Sequence, residues 1–66
     1  MEVTVNGTVR SLPADCTVND MLIEVGMDPS RVAVEIDMEI VPRKSFADRI
    51  LKQGENIEIV SFVGGG

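Results

Sequence analysis

Gly64, Gly65 and Gly66 carry the plainest chemical opportunity in this sequence: an α-carboxylate on a stem without side chains. A free α-carboxyl group has a reference pKa of roughly 3.3 to 3.7, so near neutrality it is an ionised oxygen nucleophile. Glycine adds nothing to a packed core and loses the most backbone freedom when ordered. Three of them after a strand-like apolar run are therefore either idle or present for the end they carry. Such a stem reaches about 10 Å and has no Cβ to obstruct its passage down a narrow channel. Few other residues offer chemistry. The chain has no His, Trp or Tyr and only two Phe, so the commonest general base and metal ligand is missing and so are the aromatic platforms that stack bases. Cys16 is the single cysteine; it has no partner for a disulfide or a paired-thiolate motif and reads as packing or chance exposure rather than as a reactive thiol.

The elements that would position such a tail must come from 66 residues, enough for one core. Apolar residues at 44% and charged residues at 26% suit a folded domain rather than a disordered linker. The net charge of -5 disfavours nucleic acid and anionic lipid as partners and favours a protein with a basic surface. "MEVTVNG" does not resemble a signal peptide, and no apolar run approaches the roughly 20 residues of a membrane span, so the expected location is the cytoplasm.

Along the chain, "MEVTV" alternates Met1, Val3 and Val5 with Glu2 and Thr4, as a half-buried strand does. Asn6-Gly7 then predicts a tight hairpin into a second strand over about Thr8 to Leu12. Thr17 with Asp20 three residues on resembles a capping box and opens a helix. Its apolar stripe is Val18, Met21, Leu22 and Val25, with Ile23 off the stripe, and Gly26 and Pro29 end it. "VAVEI" at 32–36 is a strand, "DME" a turn, and Ile40-Val41 a short strand stopped by Pro42. Ser45 is expected to cap a short second helix that carries Phe46, Ile50 and Leu51 inward. Gly54 turns the chain into the final strand, "NIEIVSFV".

This order predicts an α+β fold, a mixed sheet of four to five strands with one main helix and a short second helix, the first and last strands being central neighbours. It is what a β-grasp, or ubiquitin-like, architecture needs. Residues 1–63 form the domain and residues 64–66 a flexible glycine tail. With Ile57 and Ile59 on the core, period two sends Glu58, Val60 and Phe62 to the face without the helix. Three readings stay open there: Val60 and Phe62 form a partner-docking patch, they are apolar surface of the kind sheets routinely show, or a late bulge returns Phe62 to the core. Arg43 and Lys44 are either a docking contact for an acidic partner surface or simply solvated. Glu35, Asp37, Glu39, Glu55 and Glu58 either steer a basic surface toward the sheet or serve solubility.

"TVNDMLIEVG", "VAVEI", "IVPRK" and "GENIEIVSFVGGG", in this order and spacing, resemble the ThiS family of sulfur carriers in thiamine biosynthesis over essentially the whole chain. "IVPR" at 40–43 and the diglycine Gly65-Gly66 are the most specific elements. Glu55 stands where that family often has Asp, which keeps the charge. The resemblance implies a β-grasp fold and a protein cosubstrate rather than an enzyme. It further implies that the Gly66 carboxylate is adenylated by an E1-like (ThiF-like) enzyme using ATP. A thiocarboxylate then forms with sulfur from a donor protein, and that sulfur passes to thiazole synthase (ThiG-like). Gly64 and Gly65 would thread the tail. The chain itself would bind no cofactor or metal, need no catalytic side chain and be a monomer when free. Alternatives are a carrier like the small subunit of molybdopterin synthase, a ubiquitin-like modifier joined through Gly66, and an adaptor that binds through Val60 and Phe62 without using its tail.

Overall fold

Five strands form one mixed sheet in the computed structural model, which describes residues 1–62. They are β1 (Glu2–Val5), β2 (Thr8–Ser11), β3 (Val32–Ile36), β4 (Glu39–Val41) and β5 (Asn56–Ser61). Their spatial order is β2-β1-β5-β3-β4. β1 and β5 run parallel, as the central neighbours that the element order predicts, and the other pairs are antiparallel. The helix α1 (Val18–Glu24) covers one face, which completes a β-grasp. The expected domain boundary after residue 63 and the tail Gly64–Gly66 lie outside the described residues.

Local chemistry sets most of these elements. Asn6 and Gly7 both take positive φ, 48° and 83°, which is what a two-residue turn between twisted strands demands. At the start of α1 the capping box is complete: the Asp20 amide donates to Thr17 Oγ1 at 3.0 Å and the Thr17 amide to Asp20 Oδ2 at 3.2 Å. At its end Gly26 has φ 79°, and the amides of Gly26 and Met27 donate to the carbonyls of Ile23 and Leu22, so two of the last free carbonyls of the helix are satisfied. Val18, Met21 and Leu22 are fully buried against the inward residues Val3, Val5, Val34, Ile36, Ile57 and Ile59, while Ile23 is exposed. Each such side chain contributes about 1.5–3 kcal/mol relative to an exposed one.

The second helix is a correction. The segment after Pro42 is a single 3₁₀ turn, Arg43–Ser45, and Ser45 is its last residue rather than its cap. Pro42 holds the extended backbone that starts the turn three residues earlier than expected, and no side chain caps it. One further turn follows, with the Asp48 and Arg49 amides donating to the Ser45 carbonyl, before the chain opens out. Thr17 and Ile50 form an antiparallel bridge, flanked by bonds from the Val18 amide to the Arg49 carbonyl and from the Leu51 amide to the Cys16 carbonyl. In extended chain, neighbouring side chains point opposite ways. Leu51 is accordingly buried while Ile50, expected inside, is 46% exposed; Phe46, in helical backbone at the end of the 3₁₀ turn, is buried as expected.

Two acids also have structural roles. Glu55 is not a free surface charge: it is buried, with Oε2 2.7 Å from Arg49 Nη2, and its Oε1 accepts from the Lys52 amide at 2.7 Å. It fastens the turn before β5. Asp37 Oδ1 accepts the Asn56 amide at 3.0 Å and so holds the first residue of that strand. Cys16 is buried; burial first, then the charges of Asp20 and Glu24, push its thiol up, so near neutrality it is a protonated packing group.

Candidate functional site

Alternation along β5 builds the open face. Ile57 and Ile59 are 0% and 7% exposed, whereas Val60 and Phe62 are 59% and 55% exposed. No bulge interrupts the β3–β5 register, which runs without a break from Ile36↔Ile57 to Val32↔Ser61, so Phe62 belongs to the surface and not to the core. Directly paired residues share a face, which adds members that the sequence did not reveal. Ala33 pairs with Val60, and Glu35 pairs with both Glu58 and Ile40. Ile40 is 73% exposed. The open face therefore carries an apolar group, Ala33, Ile40, Val60 and Phe62, beside two carboxylates set directly opposite each other. Like charges in that relation are mildly destabilising on their own, and a basic side chain laid across them would relieve the repulsion.

Arg43 sits at the corner where β4 stops. Its Nη2 donates to the Val32 carbonyl at 3.0 Å and its Nε to the Pro29 carbonyl at 3.3 Å. The guanidinium thus has intramolecular partners, and it lines a shallow recess with Pro42, Phe46 and Phe62 at the end of β5. Beside it, the 3₁₀ turn Pro29–Arg31 is capped by Asp28, whose Oδ1 accepts from the Ser30 amide at 2.9 Å and the Ser30 hydroxyl at 2.7 Å. Those two bonds, the amide's first, with a smaller contribution from Arg31, hold the Asp28 carboxyl below its ordinary range. The Phe62 amide donates to the Arg31 carbonyl at 2.8 Å, so this turn also fixes the last described residue.

The structure brings Val60 and Phe62 together on one face and places Arg43 at its margin. Gly64, Gly65 and Gly66 lie outside the described residues. Among the described residues no group of three or more His, Cys, Asp or Glu side chains is arranged to hold a metal ion, and no helix is long and apolar enough to cross a membrane.

Residues 3–66 match the ThiS family. The chain belongs to that family. A thiamine biosynthesis protein (ThiS) from Geobacter metallireducens, known from a crystal structure, superposes with a TM-score of 0.81 at 30% identity over the whole of both chains. The sulfur carrier protein ThiS of Escherichia coli is 27% identical over its full length and the full length of this chain. A thiazole synthase from Paramagnetospirillum magneticum is 44% identical over all 66 residues, and there this ThiS-family chain spans only 20% of the relative's length.

Proposed function

We propose that this chain is a sulfur carrier of thiamine biosynthesis that works in the cytoplasm, is a monomer when free, and uses Gly66, in its working form, as a free carboxylate. A carboxylate oxygen attacks the α-phosphate of ATP on an E1-like adenylating enzyme, giving an acyl-adenylate and pyrophosphate. Sulfur at the sulfide level, delivered by a donor protein, attacks the acyl carbon, AMP leaves, and a thiocarboxylate remains. Thiazole synthase is the acceptor. The family match carries this reading, because it runs through Gly66 as well as the sheet. A protein named thiazole synthase that contains a stretch similar to the whole of this chain supports the choice of acceptor.

Each part of the chain has a task in this scheme. The apolar group around Val60 and Phe62 supplies area for docking, and Glu35 with Glu58 selects a partner surface that brings a basic side chain. Gly66 follows four positions after Phe62 in the sequence. Docking through the open face therefore brings the carboxylate within a short reach of the partner's active site, with Gly64 and Gly65, which carry no side chains, threading the approach. The chemistry needs no side chain of the carrier as acid, base or nucleophile.

Intact-mass measurement tests the proposal. Incubated with ATP, the adenylating enzyme and a sulfur source, the chain gains about 16 Da as one oxygen of its α-carboxyl becomes sulfur. No gain with an enzyme shown to be active on another carrier sinks it.

A further inference from the structure

β5 and β3 run on after their outer neighbours have stopped. The parallel ladder between β1 and β5 ends at Val5↔Ile57, and β4 ends at Val41, paired with Val34. β3 and β5 nevertheless stay paired as far as Val32↔Ser61. That last stretch is a two-stranded ribbon, and each of its outer edges would present backbone groups without a strand to meet them.

Two side chains stand where the strands have run out. On the β1 side, Asn6 Oδ1 accepts from the Ile59 amide at 2.7 Å and Asn6 Nδ2 donates to the Ile59 carbonyl at 3.2 Å. The side-chain amide meets both backbone groups of Ile59, which the next carbonyl and the next amide of a longer β1 would otherwise meet. On the β4 side, Pro42 ends the strand and Arg43 takes over, with Nη2 on the Val32 carbonyl and Nε on the Pro29 carbonyl. The bond from the Phe62 amide to the Arg31 carbonyl makes Val32 and Ser61 a non-hydrogen-bonded pair, which turns the Val32 carbonyl away from β5 and toward Arg43.

We propose that Asn6 and Arg43 are positioning residues that extend the sheet by side chain and hold the end of β5 in one direction. Neither role is required by the residue's more obvious one. A positive φ at position 6 is adopted more readily by Gly, which has no amide to pair with Ile59. A solvated surface cation would not need both donors placed on carbonyls that flank Arg31. The two braces grip the ribbon from opposite edges, and Phe62 leaves the sheet between them. The consequence for transfer rests on the sulfur-carrier reading: a fixed exit limits the directions from which the reacting end sets out, and small errors of placement are costly in rate.

The test uses the complete 66-residue chain with Asn6→Gly, which keeps the turn, and Arg43→Ala. Amide hydrogen exchange at Phe62 accelerates about tenfold in each variant, while exchange at Met21, whose amide donates to the Thr17 carbonyl in α1, stays within about twofold. An unchanged Phe62 rate in either variant, or a Met21 rate that rises in step, overturns the proposal. In sulfur loading, kcat falls about tenfold with KM within about twofold. A raised KM with kcat unchanged makes these residues docking contacts and also overturns it. Should the unmodified chain accept no sulfur, the carrier reading falls, and exchange at Phe62 still decides whether the braces exist.

Discussion

The two faces of the sheet are made by the same strands and obey opposite rules. On the helix side, Val3, Val34 and Ile57 are at most 1% exposed, and α1 supplies the matching apolar stripe. On the open side, the alternate residues of those strands leave Ile40, Val60 and Phe62 more than half exposed, beside Glu35 and Glu58 in direct opposition. Burial explains the first face completely, since close packing of apolar side chains is what a chain of 66 residues needs in order to fold. It does not explain the second. A face shaped by stability alone would hide an aromatic ring and would set opposite charges across the strands. The comparison teaches that the core face holds the domain together and that the open face, which packing leaves unexplained, is where the docking role proposed above has to be tested.

The largest expected effect tests that division directly. Ile57→Ala opens a cavity under α1 and destabilises the chain by about 2–5 kcal/mol, whereas Phe62→Ala changes stability by no more than about 0.5 kcal/mol. Urea denaturation midpoints measure both, and similar losses at the two positions would erase the distinction between the faces. The next effect is on binding. Phe62→Asp leaves the denaturation midpoint near that of the unmodified chain but weakens association with the adenylating enzyme roughly thirtyfold, or about 2 kcal/mol, because an aromatic anchor is replaced by a charge that must be desolvated. Calorimetric titration reads this, and undiminished affinity would remove Phe62 from the docking surface.

What was legible in the sequence follows the range of the interactions concerned. The Asn6-Gly7 hairpin, the Thr17-Asp20 cap and the Gly26 stop depend on bonds within a few residues, and the structure contains all three. The turn after Pro42 was misread because Ser45 makes a good cap only if a helix follows, and the Thr17↔Ile50 bridge pulls the chain into an extended path instead. Glu55 looked like a surface acid because nothing local announces that Arg49 folds back onto it. At the candidate site, period two placed Val60 and Phe62 correctly, since alternation is a property of one strand. Ala33, Ile40 and the Glu35–Glu58 opposition needed the register between strands, which no single segment encodes. The second tasks of Asn6 and Arg43 were further out of reach: their backbone partners lie 53 and 11 positions away in the chain.

The smallest expected effect sharpens the comparison most, because the two measurements move in opposite directions. Glu58→Gln removes the like-charge opposition with Glu35 while keeping shape and hydrogen-bonding capacity. The free domain gains a few tenths of a kcal/mol at low ionic strength, and the gain shrinks as salt screens the repulsion that the unmodified chain suffers. Affinity for a partner that lays a basic side chain across the pair falls about threefold in the same variant, by roughly 0.6 kcal/mol. Denaturation and titration at two salt concentrations separate these outcomes. A loss of stability would mean that Glu58 supports the fold, as Glu55 does, and a gain in both quantities would mean that the opposed carboxylates face a partner that does not use them.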